Sequence, residues 1–394
     1  MPDNLADPAF HANPHPAYAS WRREGPTRKV RLASGLEAWL ITRYDEARQA
    51  LTDPRFSKNG GDDNHPSSAI DRALSRHMLA VDPPDHTRLR RLVSAAFTAR
   101  RIEAMRPRIE AITAELLDAF PSGGAPFDLI DAFAFPLPIQ VICELLGIPA
   151  DDRDAFRAWS NIIVGGVAYR DQFPGAAAAM VGYIQGLLAA RRAEPGDDLL
   201  SGLIQVRDSG DSLTEDELVS MVFLLLIAGH ETTVNLIGNG VYLLLSRRER
   251  WERLCAEPAL IPAAIEEFLR YESPVETATF RITSEPVTIG DRTIPAHAPV
   301  LIGLLSANHD EARFPDAAEV VLDRPQNPHL AFGHGIHYCL GAPLARLEAQ
   351  IAFTGLTSRY PGLALAAAES DLAWRPGLLL RGLFTLPVTP GQPA

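Results

Sequence analysis

The 394-residue sequence predicts a mainly α-helical protein with a minor β-sheet region. Three observations carry that prediction. Apolar residues recur with helical period over about 214–246, ~32 residues or ~48 Å at 1.5 Å per residue, enough to cross a whole domain. Proline is frequent, 32 of 394, which suits many helix ends and short connections better than long strands. Strand-like alternation is confined to a few short stretches, chiefly 280–302 and 362–388.

Taken in order, Val30, Leu32, Ala38 and Leu40 alternate weakly about Ser34-Gly35, a hairpin signal over 27–41. A short helix is expected over 43–52. Residues 57–69 contain no large apolar side chain, which makes that stretch either disordered or a functional lid. Asp82-Pro83-Pro84-Asp85 punctuates the chain before a helix bearing His86 and Arg90. Helices are expected at about 102–119, 137–147, 151–166 and 173–193, parted by breakers at 121–126 and 194–198 too short to be obvious interdomain linkers. Thr214 and Glu217 form a capping box at the start of the long helix. Another helix covers about 260–271, and Gly290-Asp291 then reads as a hairpin turn. The segment 307–330 is irregular, and a last helix follows Cys339. No internal repeat or low-complexity tract occurs.

Composition excludes several function classes. Forty-six per cent of residues are hydrophobic, with 49 acidic against 37 basic side chains and a formal charge of −12; such a surface repels phosphate backbones, so nucleic acid is not an expected partner. Residues 1–10 lack the basic flank and apolar core of a signal peptide. The apolar stretch 218–246 is interrupted by His230 and Glu231, so no membrane span is expected. The three cysteines, Cys143, Cys255 and Cys339, are too few and too scattered for a disulfide framework, which points to a reducing cytoplasm. Cys143 and Cys255 lie in helical patterns and read as inert thiols.

Cys339 differs. It ends a glycine- and histidine-rich loop, 332–341, just before a helix whose Leu340, Leu344, Leu347 and Ile351 share one face. The positive end of that helix favours thiolate, while Gly335 and Gly341 let backbone approach something flat and bulky. On these residues alone three readings stand: a zinc site with His329, His334 and His337, although paired cysteines are missing; a buried inert thiol; or a single axial thiolate for haem iron. A second constellation, Ala228-Gly229-His230-Glu231-Thr232-Thr233, lies inside the long helix. Mid-helix glycine costs about 1 kcal/mol and threonine can bond a preceding carbonyl, so a local opening or kink is expected. The bland reading is a solvent-facing His-Glu pair; the functional one is a groove where a hydroxyl and a carboxylate relay protons. Glu267 and Arg270, three apart, read in isolation as a surface ion pair worth ~0.2–0.5 kcal/mol. His86, Arg90 and Arg281 are, singly, ordinary solvated charges. The cluster of Arg88, Arg90, Arg91, Arg100 and Arg101 is either a solvated face or a docking patch for an acidic partner.

Together, Phe332-x-x-Gly335-x-His337-x-Cys339-x-Gly341, Ala228-Gly-x-Glu231-Thr232-Thr233 and Glu267-x-x-Arg270 resemble, in order and separation, the motifs of the cytochrome P450 family. The likeness covers about 12–388. It implies the cytochrome P450 fold over the whole chain as one domain, with haem b as cofactor. By that resemblance Cys339 is the iron ligand and Phe332 packs on the haem; Ala228, Gly229, Gly335 and Gly341 border it; His86, Arg90, Arg281 and His337 pair with its propionates. Thr232 and Glu231 deliver protons, and Glu267, Arg270 and Arg324 lock the core. The substrate would lie against 57–80, about 160–180, Leu225, Ala228, Val275, Thr277, Ala278, Leu378 and Leu379. One departure is Ala-Asn-His309-Asp310, where bacterial members commonly carry arginine and then proline after the aspartate.

The implied activity is insertion of one oxygen atom from O2 into a C–H or C=C bond of a hydrophobic small molecule. General likeness to actinomycete members makes a macrolide or related polyketide of secondary metabolism the first expectation, with terpenoid, steroid-like and fatty-acyl substrates as alternatives. No Gly-x-Gly-x-x-Gly follows a strand, and three cysteines cannot hold a four-thiolate cluster. A separate ferredoxin and its NAD(P)H-dependent reductase are therefore expected partners of a cytoplasmic monomer. The rival of another class is a haem-thiolate protein that binds a ligand without oxidising it.

Overall fold

Burial of one stripe after another of apolar side chains drives the chain into helices, as expected. The computed structural model describes residues 3–58, 70, 74–94, 97–149, 153–165, 169–196, 198–208 and 213–391. Residues 59–69 of the expected lid, and with them 71–73 and 166–168 of the expected pocket regions, lie outside the described residues. The chain divides into two compact units: the described residues within Met1–Phe56, Arg106–Leu137 and Thr232–Ala394, and those within Ser57–Met105 and Pro138–Glu231.

The first unit holds the sheets. Strands Asp3–Asn4, Thr27–Arg31, Glu37–Ile41, Pro299–Ile302, Arg281–Thr283 and Phe56–Ser57 form the larger one in that order. Thr27–Arg31 and Glu37–Ile41 pair antiparallel as the expected hairpin, and Gly35 at the turn has φ +84°. Parallel pairing of Trp39 with Val300 sets the register to the later strand and puts Ile41, Val300 and Ile302 into one core with Tyr44, Leu51 and Phe314. The expected Val287–Ile289 and Arg292–Ile294 hairpin forms about Gly290. Helices Arg106–Asp118, Ile261–Tyr271 and Ala342–Arg359 pack in this unit.

The helices that Pro138–Glu231 contributes to the second unit include Arg153–Val164, Phe173–Ala193 and Leu199–Asp208. The long helix, Glu215–Leu245, lends its start to this unit and its remainder from Thr232 to the other. Its capping box closes as predicted: Thr214 N donates to Glu217 Oε2 at 2.8 Å, and Glu217 N to Thr214 Oγ1 at 3.2 Å. Two helices, Phe173–Ala193 and Glu215–Leu245, have the length and apolarity to cross a bilayer, more than the sequence reading allowed; the second is mostly buried within the fold, as a core helix is.

Several expectations need correction. The helix expected at 102–119 is two, Ala99–Ala104 and Arg106–Asp118, broken at Met105. Helices Pro8–Ala12, His15–Glu24, Leu199–Asp208 and Arg248–Ala256 went unpredicted; all are short, and their faces are defined by packing partners rather than by a long period. No break occurs at Gly229–Thr233: the long helix runs through it, because tertiary packing outweighs a propensity deficit of about 1 kcal/mol.

Candidate active site

The cysteine loop is shaped from inside by hydrogen bonds and from outside by glycine. Cys339 N donates to Phe332 O at 2.9 Å, and Gly333 N to Leu330 O at 2.8 Å. A single 3₁₀ turn, Gly335–His337, delivers the chain to Cys339, and helix Ala342–Arg359 starts three residues later. Gly333 and Gly335 adopt φ +72° and +74°. At Gly335 a Cβ would also stand 2.9 Å from Leu51 O, so this position is closed to other residues on two counts. Gly341 is different: φ is −80° and a Cβ would meet only Cys339 Sγ, at 3.9 Å. Cys339 and His337 are part-exposed, Ile336 and Tyr338 exposed.

A bracket missed in the sequence holds Phe332. Arg346, one turn into the helix, lays its guanidinium over the Phe332 ring, 4.5 Å from the centroid. The same guanidinium donates twice to Glu266, 2.7 Å each, and His329 Nε2 lies 3.0 Å from Glu266 Oε2. Burial alone would raise the Glu266 carboxyl, but the hydrogen bonds from Arg346 and His329 hold it at about 2. No periodicity links residues 266, 332 and 346, so no sequence signal announced the cluster.

Arg281, 5% exposed, donates to Phe56 O at 3.0 Å. Of the expected pocket residues, Thr277 N and Oγ1 both donate to Leu378 O, at 3.1 and 2.7 Å, while Val275 pairs with Leu380 and Ala278 N donates to Ile302 O. Leu379 is 46% exposed and Val275 and Ala278 part-exposed, an apolar edge. Glu267, Arg270 and Arg324 also come together, and the surface-pair reading is overturned. Both members of the Glu267–Arg270 pair are 0% exposed. Arg270 donates to Glu267 at 2.9 and 2.7 Å, and Arg324 adds bonds at 2.9 and 3.1 Å.

In the second unit, helix Asp85–Ser94 carries His86, buried, and Arg90, part-exposed. Arg88 is paired with Asp85 and Glu217, which ties this helix to the start of the long one. Arg91, Arg100 and Arg101 are exposed. Along the long helix Leu225 is buried, while Ala228 is exposed and Ile227, Gly229 and Thr232 are part-exposed, an opening in an otherwise covered helix. Gly229 has a packing reason as well: a Cβ would stand 2.9 Å from Ile142 Cδ1. His230 and Glu231 are 0% and 1% exposed, not solvent-facing, and both contact Ser160, which the sequence did not flag.

Chemically, one sulfur donor is what an iron already held by four porphyrin nitrogens requires. Among the described residues no group of three or more His, Cys, Asp or Glu side chains converges as a metal site, which disposes of the zinc reading there. The donor set fits haem: one thiol, on a glycine-shaped loop. A cytochrome P450 family model matches residues 176–361. The vitamin D(3) 25-hydroxylase of Pseudonocardia autotrophica is 47% identical over 394 residues, 98% of this chain and 96% of its own. The polyketide biosynthesis cytochrome P450 PksS of Bacillus subtilis (strain 168) is 42% identical over 392 residues, 96% of each chain. Among solved structures, the tirandamycin C-bound P450 monooxygenase TamI superposes with a TM-score of 0.92 and 49% identity, over 98% of this chain and 99% of that one. The fold and donor set are those of a haem-thiolate oxygenase. The chain belongs to the cytochrome P450 family; it is a monooxygenase, and its cofactor is haem b.

Proposed function

We propose that the whole chain, as one monomeric cytoplasmic domain, oxygenates a hydrophobic polyketide of macrolide type in secondary metabolism. The observation that carries the chemistry is the cysteine loop, with Cys339 on a glycine-shaped turn braced by Arg346 and Glu266. Relatedness to an enzyme named for polyketide biosynthesis supports the substrate class, as does the apolar edge of Val275, Ala278 and Leu379. A steroid-like substrate is the second reading, favoured by the 47% identity to a vitamin D(3) hydroxylase.

Cys339 is the iron ligand in this reading, with Phe332 against it. Gly335 and Gly341 keep backbone clear of the ring, as do Ala228 and Gly229 on the long helix. His86, Arg90, Arg281 and His337 pair with its carboxylates. Bound haem supplies dioxygen activation and the oxidation itself. Leu225, Ala228, Val275, Thr277, Ala278, Leu378 and Leu379 orient the substrate and exclude water. Two protons and two electrons are consumed per oxygen inserted, with water as the second product. Thr232 and Glu231 move the protons; a separate ferredoxin and its NAD(P)H-dependent reductase bring the electrons, docking by exposed Arg91, Arg100 and Arg101. Glu267, Arg270 and Arg324 keep the core locked.

Spectroscopy of the reduced, carbon monoxide-bound protein is the test. The wild type should show the red-shifted Soret band of thiolate ligation, and Cys339→Ala should lose it. Persistence of that band in the variant would remove Cys339 from the iron. Spin-shift titrations with a macrolide, a sterol and a fatty acid then separate the substrate readings.

A further inference from the structure

Arg346 is connected to Cys339 from two sides. Its guanidinium lies over the Phe332 ring, 4.5 Å from the centroid, and Phe332 O accepts the Cys339 N–H at 2.9 Å. Tyr338, the chain neighbour of Cys339, also interacts with that guanidinium. The cation therefore rests on the two residues that hold the thiol. A long side chain keeps such a place only if something fixes it, because it gives up rotamer freedom to stay there.

Glu266 is what fixes it. Arg346 Nε donates to Oε1 and Nη2 to Oε2, both at 2.7 Å, the two-pronged geometry of a strong pair. A third donor is assigned by its own neighbour. Ala331 N donates to His329 Nδ1 at 3.2 Å, so that nitrogen accepts and Nε2 carries the hydrogen, 3.0 Å from Glu266 Oε2. Burial alone would raise the Glu266 carboxyl, but these donors hold it at about 2, so it is an anion across the neutral range.

Anion and cation are not placed alike towards the thiol. Contacts run from Cys339 to Phe332 and Tyr338, on to Arg346, and through Arg346 to Glu266. Reduction of bound haem from ferric to ferrous adds one electron, and so one negative charge, beside Cys339. A cation against the ligand's own neighbours favours that charge, and an anion behind it takes part of the effect back. The two side chains are 31% and 28% exposed, so water screens them and the effect is modest.

We propose that Arg346 is a positioning residue of the monooxygenase that raises the haem reduction potential through Phe332 and Tyr338, with Glu266 fixing it in place and partly offsetting its charge. This rests on the reading of Cys339 as the iron ligand and deepens it with a charge pair that sets how readily the centre accepts its first electron.

An anaerobic potentiometric titration of the substrate-free holoenzyme, with dithionite and mediator dyes, tests this through the Soret band. Arg346→Gln leaves Glu266 unpaired and should lower the reduction equilibrium constant by about threefold or more, which is about 28 mV at 59 mV per tenfold. Glu266→Gln leaves Arg346 unpaired and should raise the constant by a similar factor. The double variant should fall between the two. Arg346→Lys, which keeps the charge without the fork, should stay within about twofold of the wild type. A bracket that only supports the loop would move both single variants in the same direction; that result overturns the proposal, and so do unmoved potentials. Should Arg346→Gln fail to retain haem, the rise in Glu266→Gln and the constancy of Arg346→Lys decide instead. A wild type lacking the thiolate-type band under carbon monoxide defeats the reading of Cys339 itself. That band present with potentials unmoved defeats only this inference.

Discussion

Gly335 shows how one residue type can do two jobs in one loop. Its φ of +74° belongs to the left-handed region, and Leu51 O blocks the space a Cβ would need, at 2.9 Å. Strain of that kind costs on the order of 1–3 kcal/mol. Gly335→Ala is therefore expected to lower the thermal midpoint by a few degrees and to weaken haem retention, read as the fraction of protein keeping its Soret band through dialysis. A variant as stable and as fully loaded as the wild type would show that the loop tolerates the side chain. Both loop glycines are visible in the sequence, but their reasons are not. Gly341 has an ordinary φ and no protein atom crowding it, a distinction that depends on Leu51, far away in the chain. The same holds for Ser160, Glu266 and Arg346, whose partners no spacing rule connects.

At the scale of elements, the long helix was legible because its signal is local: a period sustained for about 30 residues and a capping box at its start. Its weak spot misled, since propensity counts only the helix's own cost and not the packing of Ile142 against Gly229. Glu217 carries a second task that no local rule reveals, holding Arg88 of helix Asp85–Ser94. The two tasks separate by mutation. Thr214→Ala removes only the cap and should cost about 1 kcal/mol. Glu217→Ala loses the cap and the Arg88 partner, so it should cost more and loosen the helix that carries His86 and Arg90. Hydrogen exchange over residues 85–94 decides: faster in Glu217→Ala, unchanged in Thr214→Ala. Equal exchange in both would mean that the Arg88 contact does not anchor that helix.

Over the molecule as a whole, four buried or part-buried carboxyls are pulled in opposite directions. Burial raises Glu348 to about 8 and Glu276 to about 7; for Glu348 burial is the sole cause, with Oε2 lacking a hydrogen-bond partner. Glu272, despite the same burial, is held at about 2 by Arg381 and His15, and Glu266 at about 2 by Arg346 and His329. The signs follow from linkage. Between the ordinary value of 4.5 and about 8, the unfolded chain releases a proton that folded Glu348 retains, so stability falls as pH rises through that window. Glu266 and Glu272 contribute stability that is present above about 4.5 and lost as pH falls toward 2. Glu348→Gln has no proton to lose. Its thermal midpoint relative to wild type should therefore be more favourable at pH 8 than at pH 5. A difference independent of pH would show that Glu348 ionises normally in the fold.

The sequence by itself determined the helical class and the motif residues, because periods, caps and loop glycines act over a few residues and leave a local record; the haem-thiolate chemistry came from the resemblance of those motifs to a family. Only the tertiary structure decided which charges are buried. Glu267 with Arg270, in isolation a surface pair, and His230 with Glu231, solvent-facing in one of two readings, are fully covered; Arg88, read as part of a solvated or docking face, is paired with Glu217; and Ser160 reads as nothing at all until it meets Glu231. Desolvation depends on what packs over a group, and in this chain the covering side chains lie tens to hundreds of residues away.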